Sequence, residues 1–277
     1  MIYISSSCVK FDTISESIRY LAENGFRNIE LSGGTNYYEQ LSDDLIKLKT
    51  QYDLSFTIHN YFPPPPKHFV LNLSSSDEEI YALSFEHYKK AINLAKQLDI
   101  EKIGIHAGFL FDPKVKELGK DISLHELIDR ENGLDRFCNA YNSLIQEVDE
   151  IQIYIENNVV SNKNFNTYRG NPFLLTNFED YLELRERINF PLILDVGHLK
   201  VSSNTLKLDF SQELSKFLQH TDYLHLSEND GLTDSNDPLL RNDMLKTILD
   251  SGINNKTITL EIYDDIKKIK ASYELLN

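Results

Sequence analysis

Short apolar runs alternate along this chain with longer stretches in which apolar residues recur every three or four positions. The apolar runs are typical of buried strands, and the longer stretches are typical of amphipathic helices. The strands are predicted at Ile2–Ser5, Asn28–Leu31, Ser55–His59, Lys102–His106, Gln152–Glu156, Leu192–Asp195, Tyr223–Leu226 and Thr257–Glu261. The clearest helices are predicted at Thr13–Asn24, Asp77–Leu98, Leu174–Arg187 and Asp264–Leu276.

This alternation predicts a parallel sheet, because parallel neighbours need a long crossover connection between them. Eight units in 277 residues give about 35 residues each, and eight is the number of strands that closes a barrel. We therefore expect a single (β/α)8 TIM barrel that spans residues 1–277 as one domain. A doubly wound open sheet is the structural alternative. The run Pro63–Pro66 predicts a stiff, extended loop after the third strand, which could act as a lid.

Composition narrows the classes of function. The net charge of −15 repels phosphate backbones, so a nucleic-acid partner is unlikely on charge alone. Cys8 and Cys138 form no C-x-x-C motif, and so few thiols fit a reducing cytoplasm. We find neither a signal-peptide pattern nor an apolar run long enough for a membrane helix, so we expect a cytoplasmic protein. Dinucleotide-binding, Walker and serine-nucleophile motifs are also missing from the sequence.

Polar side chains end almost every predicted strand. Carboxylates or imidazoles stand at seven of the eight strand ends: Glu30, His59, His106, Glu156, Asp195, His225 and Glu261. His198 follows three residues after Asp195. The carboxyl ends of barrel strands meet at one mouth, where the active sites of such barrels lie. We therefore expect these side chains to share a small space.

Acids gathered at a buried strand mouth need compensation, since each unpaired buried charge costs several kcal/mol. A divalent cation is the simplest remedy, and this mixture of ligands suits Mn, Zn, Mg or Co. Any one histidine at a strand end is more often structural than a ligand, and Glu30 could instead pair with a lysine or arginine inside the barrel. The coincidence of six such strand ends is what favours a metal site.

The order Glu–Asp–His–Glu on strands five to eight resembles the xylose-isomerase-like barrel superfamily, which includes sugar isomerases, ketose 3-epimerases and the endonuclease IV group. The resemblance covers nearly the whole chain. It implies that the metal is held by Glu156, Asp195, His225 and Glu261. It further implies that Glu156 and Glu261 move the proton and that His198 touches substrate oxygens. Small-molecule carbohydrates are then the expected substrates, and a homodimer is open because related barrels often pair.

The endonuclease IV group carries additional metal ligands, and part of that set is present here. His59, His106, His198 and Asp234 match it, whereas Asn236 stands where that pattern needs a histidine. Conversely, the epimerases usually carry an arginine shortly after the histidine of strand seven, and this chain has none there.

Three activities therefore remain open at the level of the sequence. The first is a metal-dependent sugar isomerase or epimerase that works through an enediolate, and the second is a zinc phosphodiesterase of the endonuclease IV kind. The third is a sugar-binding barrel without catalysis. Four residues are candidates for contact with the substrate: His59, His106, Arg169 and Glu228. Arg169 lies in the segment 162–172, after the fifth strand, and could hold a phosphate or carboxylate of the substrate.

Overall fold

The computed structural model describes residues 1–117, 122–148 and 150–277, and its eight parallel strands form a closed barrel. The strands are β1 (Ile2–Ser5), β2 (Asn28–Leu31), β3 (Ser55–Ile58), β4 (Lys102–His106), β5 (Gln152–Glu156), β6 (Leu192–Asp195), β7 (Thr221–Leu226) and β8 (Thr257–Leu260). Each strand pairs with the next in the chain, and β8 pairs with β1. The predicted (β/α)8 barrel is thus confirmed, with strand ends that differ by at most two residues, and the open doubly wound sheet is excluded.

In the described part of the chain, at least one helix separates each strand from the next, and a last helix follows β8. The helices are α1 (Ile14–Glu23), α2 (Leu41–Tyr52), α3 (Glu78–Gln97), α4 (Arg130–Ile145), α5 (Asn162–Tyr168), α6 (Phe178–Arg187), α7 (Val196–Leu206), α8 (Phe210–Phe217), α9 (Asp243–Asp250) and α10 (Ile266–Glu274). None of them is long and apolar enough to cross a membrane.

One predicted helix begins later than the sequence pattern indicates. The apolar spacing predicts a helix from Leu174, but α6 begins at Phe178. Leu175 has a left-handed backbone (φ 55°), and the side chain of Asn177 accepts a hydrogen bond from the backbone of Asp180. An asparagine that caps the first turn fixes the start of a helix better than apolar spacing does.

Side chains alternate along each strand, so one set faces the helices and the other faces the inside of the barrel. Outward-facing residues such as Ile155 and Leu224 join the large apolar core between strands and helices. Inside the barrel, Tyr154, Ile193 and Tyr223 form a small separate cluster. The next inward positions along β5, β6 and β7 are Glu156, Asp195 and His225, so the polar residues form the layer above this cluster.

A candidate metal centre at the barrel mouth

Strand pairing brings the polar strand ends next to one another. In the register of the sheet, His106 on β4 lies beside Glu156 on β5, and Asp195 on β6 lies beside His225 on β7. Most of these side chains are withdrawn from solvent: those of Glu156 and His225 are 1% and 0% exposed. The mouth is therefore lined by ionisable groups that water barely reaches.

Glu156 lies at the centre of this cluster. One of its carboxylate oxygens, Oε2, is 2.5 Å from His59 Nε2 and 3.1 Å from His106 Nε2. The other oxygen, Oε1, is 3.2 Å from His225 Nδ1 and 3.8 Å from His198 Nδ1. Each oxygen of this carboxylate thus faces a different pair of imidazoles.

A second group of ligands meets around His225. One ligand atom from each of Asp195, His225 and Glu261 lies within 4.8 Å of the other two. His225 Nδ1 is 3.7 Å from Glu261 Oε2, in addition to its contact with Glu156. The four residues that the family resemblance implies as metal ligands therefore converge on one small volume.

Hydrogen bonds to neighbouring groups fix which imidazole nitrogen faces the cluster. His198 Nδ1 donates to the backbone carbonyl of Asn157 at 2.8 Å, and His106 Nδ1 donates to the side-chain oxygen of Asn158 at 3.3 Å. His225 Nε2 donates to Glu30 at 3.1 Å. In all three rings the opposite nitrogen is left for a partner at the mouth. This arrangement is common around metal-binding histidines.

Two facing atoms at the mouth have no hydrogen-bond partner. His225 Nδ1 and Glu156 Oε1 are both buried and unpartnered, although only 3.2 Å separates them. Two atoms that bind one octahedral ion at right angles, each about 2.1 Å from it, lie about 3.0 Å apart. A buried polar atom without a hydrogen-bond partner lowers the stability of the fold by about 1–3 kcal/mol. The residues present therefore fit a divalent cation.

The electrostatics of the cluster point in the same direction. Burial would raise the pKa of Glu156, but the imidazoles of His106 and His59 lower it well below its usual value. Burial would lower the pKa of His225, but the carboxylates of Glu30 and Glu156 raise it well above its usual value. Burial raises the pKa of Asp195 to about 7. Without a cation, these acids depend on charged imidazoles for compensation.

Several residues that shape the centre are not evident from the sequence. Glu261 Oε1 accepts hydrogen bonds from Ser7 Oγ at 3.1 Å and from the Tyr263 hydroxyl at 2.7 Å, which leaves Oε2 towards His225. Gly104 makes room for a ligand, since a Cβ there would lie 2.7 Å from the ring of His59. Glu30, for which a lysine or arginine partner was one possibility, accepts hydrogen bonds from Tyr223, Thr259 and His225 instead.

The remaining predicted residues lie around this centre. Asp234 Oδ2 is 3.2 Å from His198 Nε2, and Asn236 is buried with a left-handed backbone (φ 54°). Arg169 is exposed at the end of α5. Glu228 is buried and bonded to Lys200, Asn242 and the backbone of Asn229. The substrate contacts of Arg169 and Glu228 stay predictions.

A closed (β/α)8 barrel with carboxylates and imidazoles gathered at its mouth defines a class of barrel proteins. Within that class, this chain belongs to the xylose isomerase-like TIM barrel family, which matches residues 18–277.

Other proteins resemble the chain over most of its length. Two uncharacterised proteins of Methanocaldococcus jannaschii, MJ1614 and MJ1311, are 25% and 24% identical to it. The matches cover 72% and 83% of this chain, and 82% and 71% of those proteins.

Among solved structures, a D-tagatose 3-epimerase-like protein superposes with a TM-score of 0.73 at 21% identity and covers 99% of this chain and 95% of its own. Endonuclease IV from Thermus thermophilus superposes with a TM-score of 0.63 at 13% identity, covering 99% and 97%. These likenesses show the fold.

Proposed function

We propose that the protein is a divalent-metal-dependent isomerase or epimerase that moves a proton on a sugar or sugar derivative. The observation that carries this proposal is that Glu156 and Glu261 both lie close to His225 Nδ1, at 3.2 and 3.7 Å. Glu156 is 1% exposed at the floor of the mouth, whereas Glu261 is 16% exposed nearer to solvent. Two carboxylates at different depths of the mouth can contact opposite faces of a bound substrate.

The metal would be held by the four converging residues Glu156, Asp195, His225 and Glu261. When bound, a divalent ion supplies Lewis acidity that polarises a substrate carbonyl and its adjacent hydroxyl. The side chains of His106, Glu261 and Asp234 are 23%, 16% and 24% exposed, so they border the side of the cluster from which a substrate can enter.

The proton work falls to the two glutamates. One of them removes a proton from the carbon next to the carbonyl, which gives an enediolate, and the other returns a proton to it. Glu156 can accept the proton because it is ionised at neutral pH, as its lowered pKa requires. His198 Nε2 lies near the opening beside Asp234 and can orient a substrate hydroxyl. The net charge of −15 favours a small carbohydrate over a nucleic acid.

One observation favours a second candidate, a phosphodiesterase of the endonuclease IV kind. His59 Nε2 and His106 Nε2 both approach Glu156 Oε2, while Glu156 Oε1 faces His225. A carboxylate with one oxygen towards each of two ligand groups is suited to bridge two ions, which is a common arrangement in phosphoryl-transfer sites. Against this candidate stand the charge of the chain and Asn236 in place of a histidine.

Solvent isotope exchange tests the first candidate without knowledge of the product. The protein is loaded with Mn²⁺, Co²⁺, Mg²⁺ or Zn²⁺ and incubated in D₂O with a panel of ketoses and aldoses. We expect deuterium to enter the carbon next to the carbonyl of at least one sugar, detected by NMR. The second candidate is tested in parallel with abasic-site DNA and a simple phosphodiester. Hydrolysis of either one, without exchange into any sugar, would contradict the proposal.

A matched pair of variants separates chemistry from folding. Glu261→Gln removes one of the two proposed proton-transfer groups at the mouth. Glu213→Gln changes a glutamate on α8 that is more buried, with a side chain 7% exposed against 16% for Glu261, and that accepts a hydrogen bond from the backbone of Phe178 at 2.8 Å. We expect exchange to be lost only in Glu261→Gln.

A further inference from the structure

Glu30 is the next-to-last residue of β2, and its side chain is fully buried inside the barrel. Three donors converge on one of its oxygens, Oε2: the hydroxyl of Tyr223 at 2.5 Å, the hydroxyl of Thr259 at 3.1 Å and Nε2 of His225 at 3.1 Å. No role in the proposed reaction falls to this residue so far. Its contact with His225 nevertheless joins it directly to the candidate metal centre.

We propose that Glu30 is a positioning residue that holds His225 with Nε2 protonated and Nδ1 free to bind the metal. The proposal rests on the metal centre of the proposed function. The carboxylate can only accept a hydrogen bond from His225 Nε2, so the lone pair of the neutral ring must be on Nδ1. That nitrogen is the buried, unpartnered atom that faces Glu156 and Glu261.

The charge of Glu30 would strengthen the same contact. A carboxylate behind a ligating imidazole fixes the ring and raises its basicity as a ligand. Tyr223 and Thr259 supply the hydrogen bonds that keep this oxygen in place. A role in packing alone would not require a charge, since burying an ion costs more than burying a neutral side chain of similar size.

Glu30 is also close enough to be considered as a ligand itself. One ligand atom from each of Glu30, His59 and His225 lies within 4.8 Å of the others. However, His225 faces Glu30 with the nitrogen that donates the hydrogen bond, and a protonated nitrogen cannot bind a metal. The geometry therefore assigns Glu30 to the support of His225.

The test compares zinc binding and the NMR signature of His225 in three variants. Glu30→Ala removes the acceptor, and Glu30→Gln keeps an acceptor oxygen but removes the charge. Thr57→Val is the matched control, because the buried Thr57 pairs with Glu30 across β2 and β3 and shares a hydrogen bond with Tyr223 at 3.1 Å, whereas the donors to the Glu30 carboxylate are Tyr223, Thr259 and His225. Zinc affinity is measured by competition with a chelator. The His225 ring signals are assigned in ¹⁵N-histidine-labelled protein by their loss in His225→Gln.

We expect zinc affinity to fall about 10–100-fold in Glu30→Ala and less in Glu30→Gln, with the control close to the wild type. In the zinc-loaded wild type, the metal should be on Nδ1, and the Nε2 proton should resonate far downfield. That resonance should move upfield in Glu30→Gln. A purely structural role would change the unfolding temperature without this shift.

The outcomes separate this inference from the proposed function. If the wild type binds zinc and Glu30 variants bind it weakly, the positioning role stands even when no sugar undergoes exchange. If both variants keep wild-type zinc affinity and an unchanged Nε2–H resonance, the positioning role is overturned while the proposed function survives. If the wild type binds none of Mn²⁺, Co²⁺, Mg²⁺ and Zn²⁺, the inference and the metal centre both fail.

Discussion

The two ends of the barrel interior complete their polar contacts in different ways. The end opposite the mouth, where the strands begin, is called the closed end. There, Lys102 Nζ donates to Thr257 Oγ1 at 2.7 Å, and the Tyr154 hydroxyl has contacts with Gln152 at 2.9 Å and Asp222 at 3.3 Å. Each of these groups finds its partner within the protein. Such contacts serve stability.

At the mouth, the same kind of completion is missing. Glu30 Oε1, Glu156 Oε1, His225 Nδ1 and Asp234 Oδ1 are buried and have no hydrogen-bond partner in the described part of the chain. This difference indicates that the polar atoms at the mouth are arranged for a ligand from outside the chain, whereas the polar groups at the closed end already have partners within the protein.

The strongest test removes the central carboxylate of the mouth. In Glu156→Gln we expect kcat/KM for isotope exchange to fall about 10³-fold or more, because a proton-transfer group and a metal ligand are lost together. Kinetics with the sugar found in the exchange screen measure this effect. Far-ultraviolet circular dichroism should stay that of the wild type. Full activity in this variant would contradict the assigned role.

Removal of the metal should lower the stability of the folded protein, because the mouth loses its cation while the other end of the barrel is unchanged. An ion at 100 times its dissociation constant stabilises the folded state by about 2.7 kcal/mol. For a chain of this size, the unfolding temperature should then drop by about 5–10 °C after chelation. Differential scanning fluorimetry with and without Mn²⁺ measures the shift. The same shift in Glu156→Gln would show that the ion binds elsewhere.

A histidine outside the barrel shows what burial does without neighbouring acids. His87 on α3 is 4% exposed, and burial lowers its pKa to about 4. The unfolded chain therefore binds a proton that the folded protein resists, so stability is lost as pH falls from about 6.5 to 4, by up to about 3 kcal/mol. In the metal-free protein, by contrast, the carboxylates of Glu30 and Glu156 outweigh burial and raise the pKa of His225, so its contribution to stability is complete below about pH 6.5 and is lost only at higher pH.

Denaturant unfolding at pH 7.0, 5.5 and 4.5 measures this effect, with His87→Leu as the comparison. The variant should lose less stability than the wild type over that range. Equal losses in both proteins would show that His87 does not resist protonation.

The smallest effect is expected at the closed end. Lys102→Met removes the hydrogen bond to Thr257 and the approach of the ammonium to the ring of Tyr154, 5.3 Å from its centroid. We expect a loss of about 1–2 kcal/mol in the free energy of unfolding, with metal affinity unchanged. A fall in metal affinity would show that the two ends are coupled.

Strand positions could be predicted from the sequence because apolar runs such as Leu192–Leu194, which lies between Pro191 and Asp195 and is buried in the structure, have clear ends. The polar mouth could also be predicted, since parallel strands carry their ends to one edge. The contact partners of individual side chains could not be predicted from the sequence. The role of Glu30 depends on its contact with Tyr223, 193 positions away, and no local pattern records it. Tyr263 lies only two positions from Glu261, but the sequence does not indicate that its hydroxyl donates to that carboxylate.

The helix starts show a similar limit. The N-cap at Asn177 decides where α6 begins, although the apolar residues Leu174 and Leu175 precede it. Gly104 in the middle of a strand was the one available signal of a close approach, and the ring of His59 lies against it.

The central claim is that one divalent ion binds between four side chains from β5 to the end of β8. Anomalous diffraction from a Mn²⁺-soaked crystal, recorded at the manganese edge, tests it most directly. The account predicts a strong peak about 2.0–2.4 Å from ligand atoms of Glu156, Asp195, His225 and Glu261. No peak at saturating Mn²⁺, or a peak only at a place that these four side chains cannot reach, would contradict it.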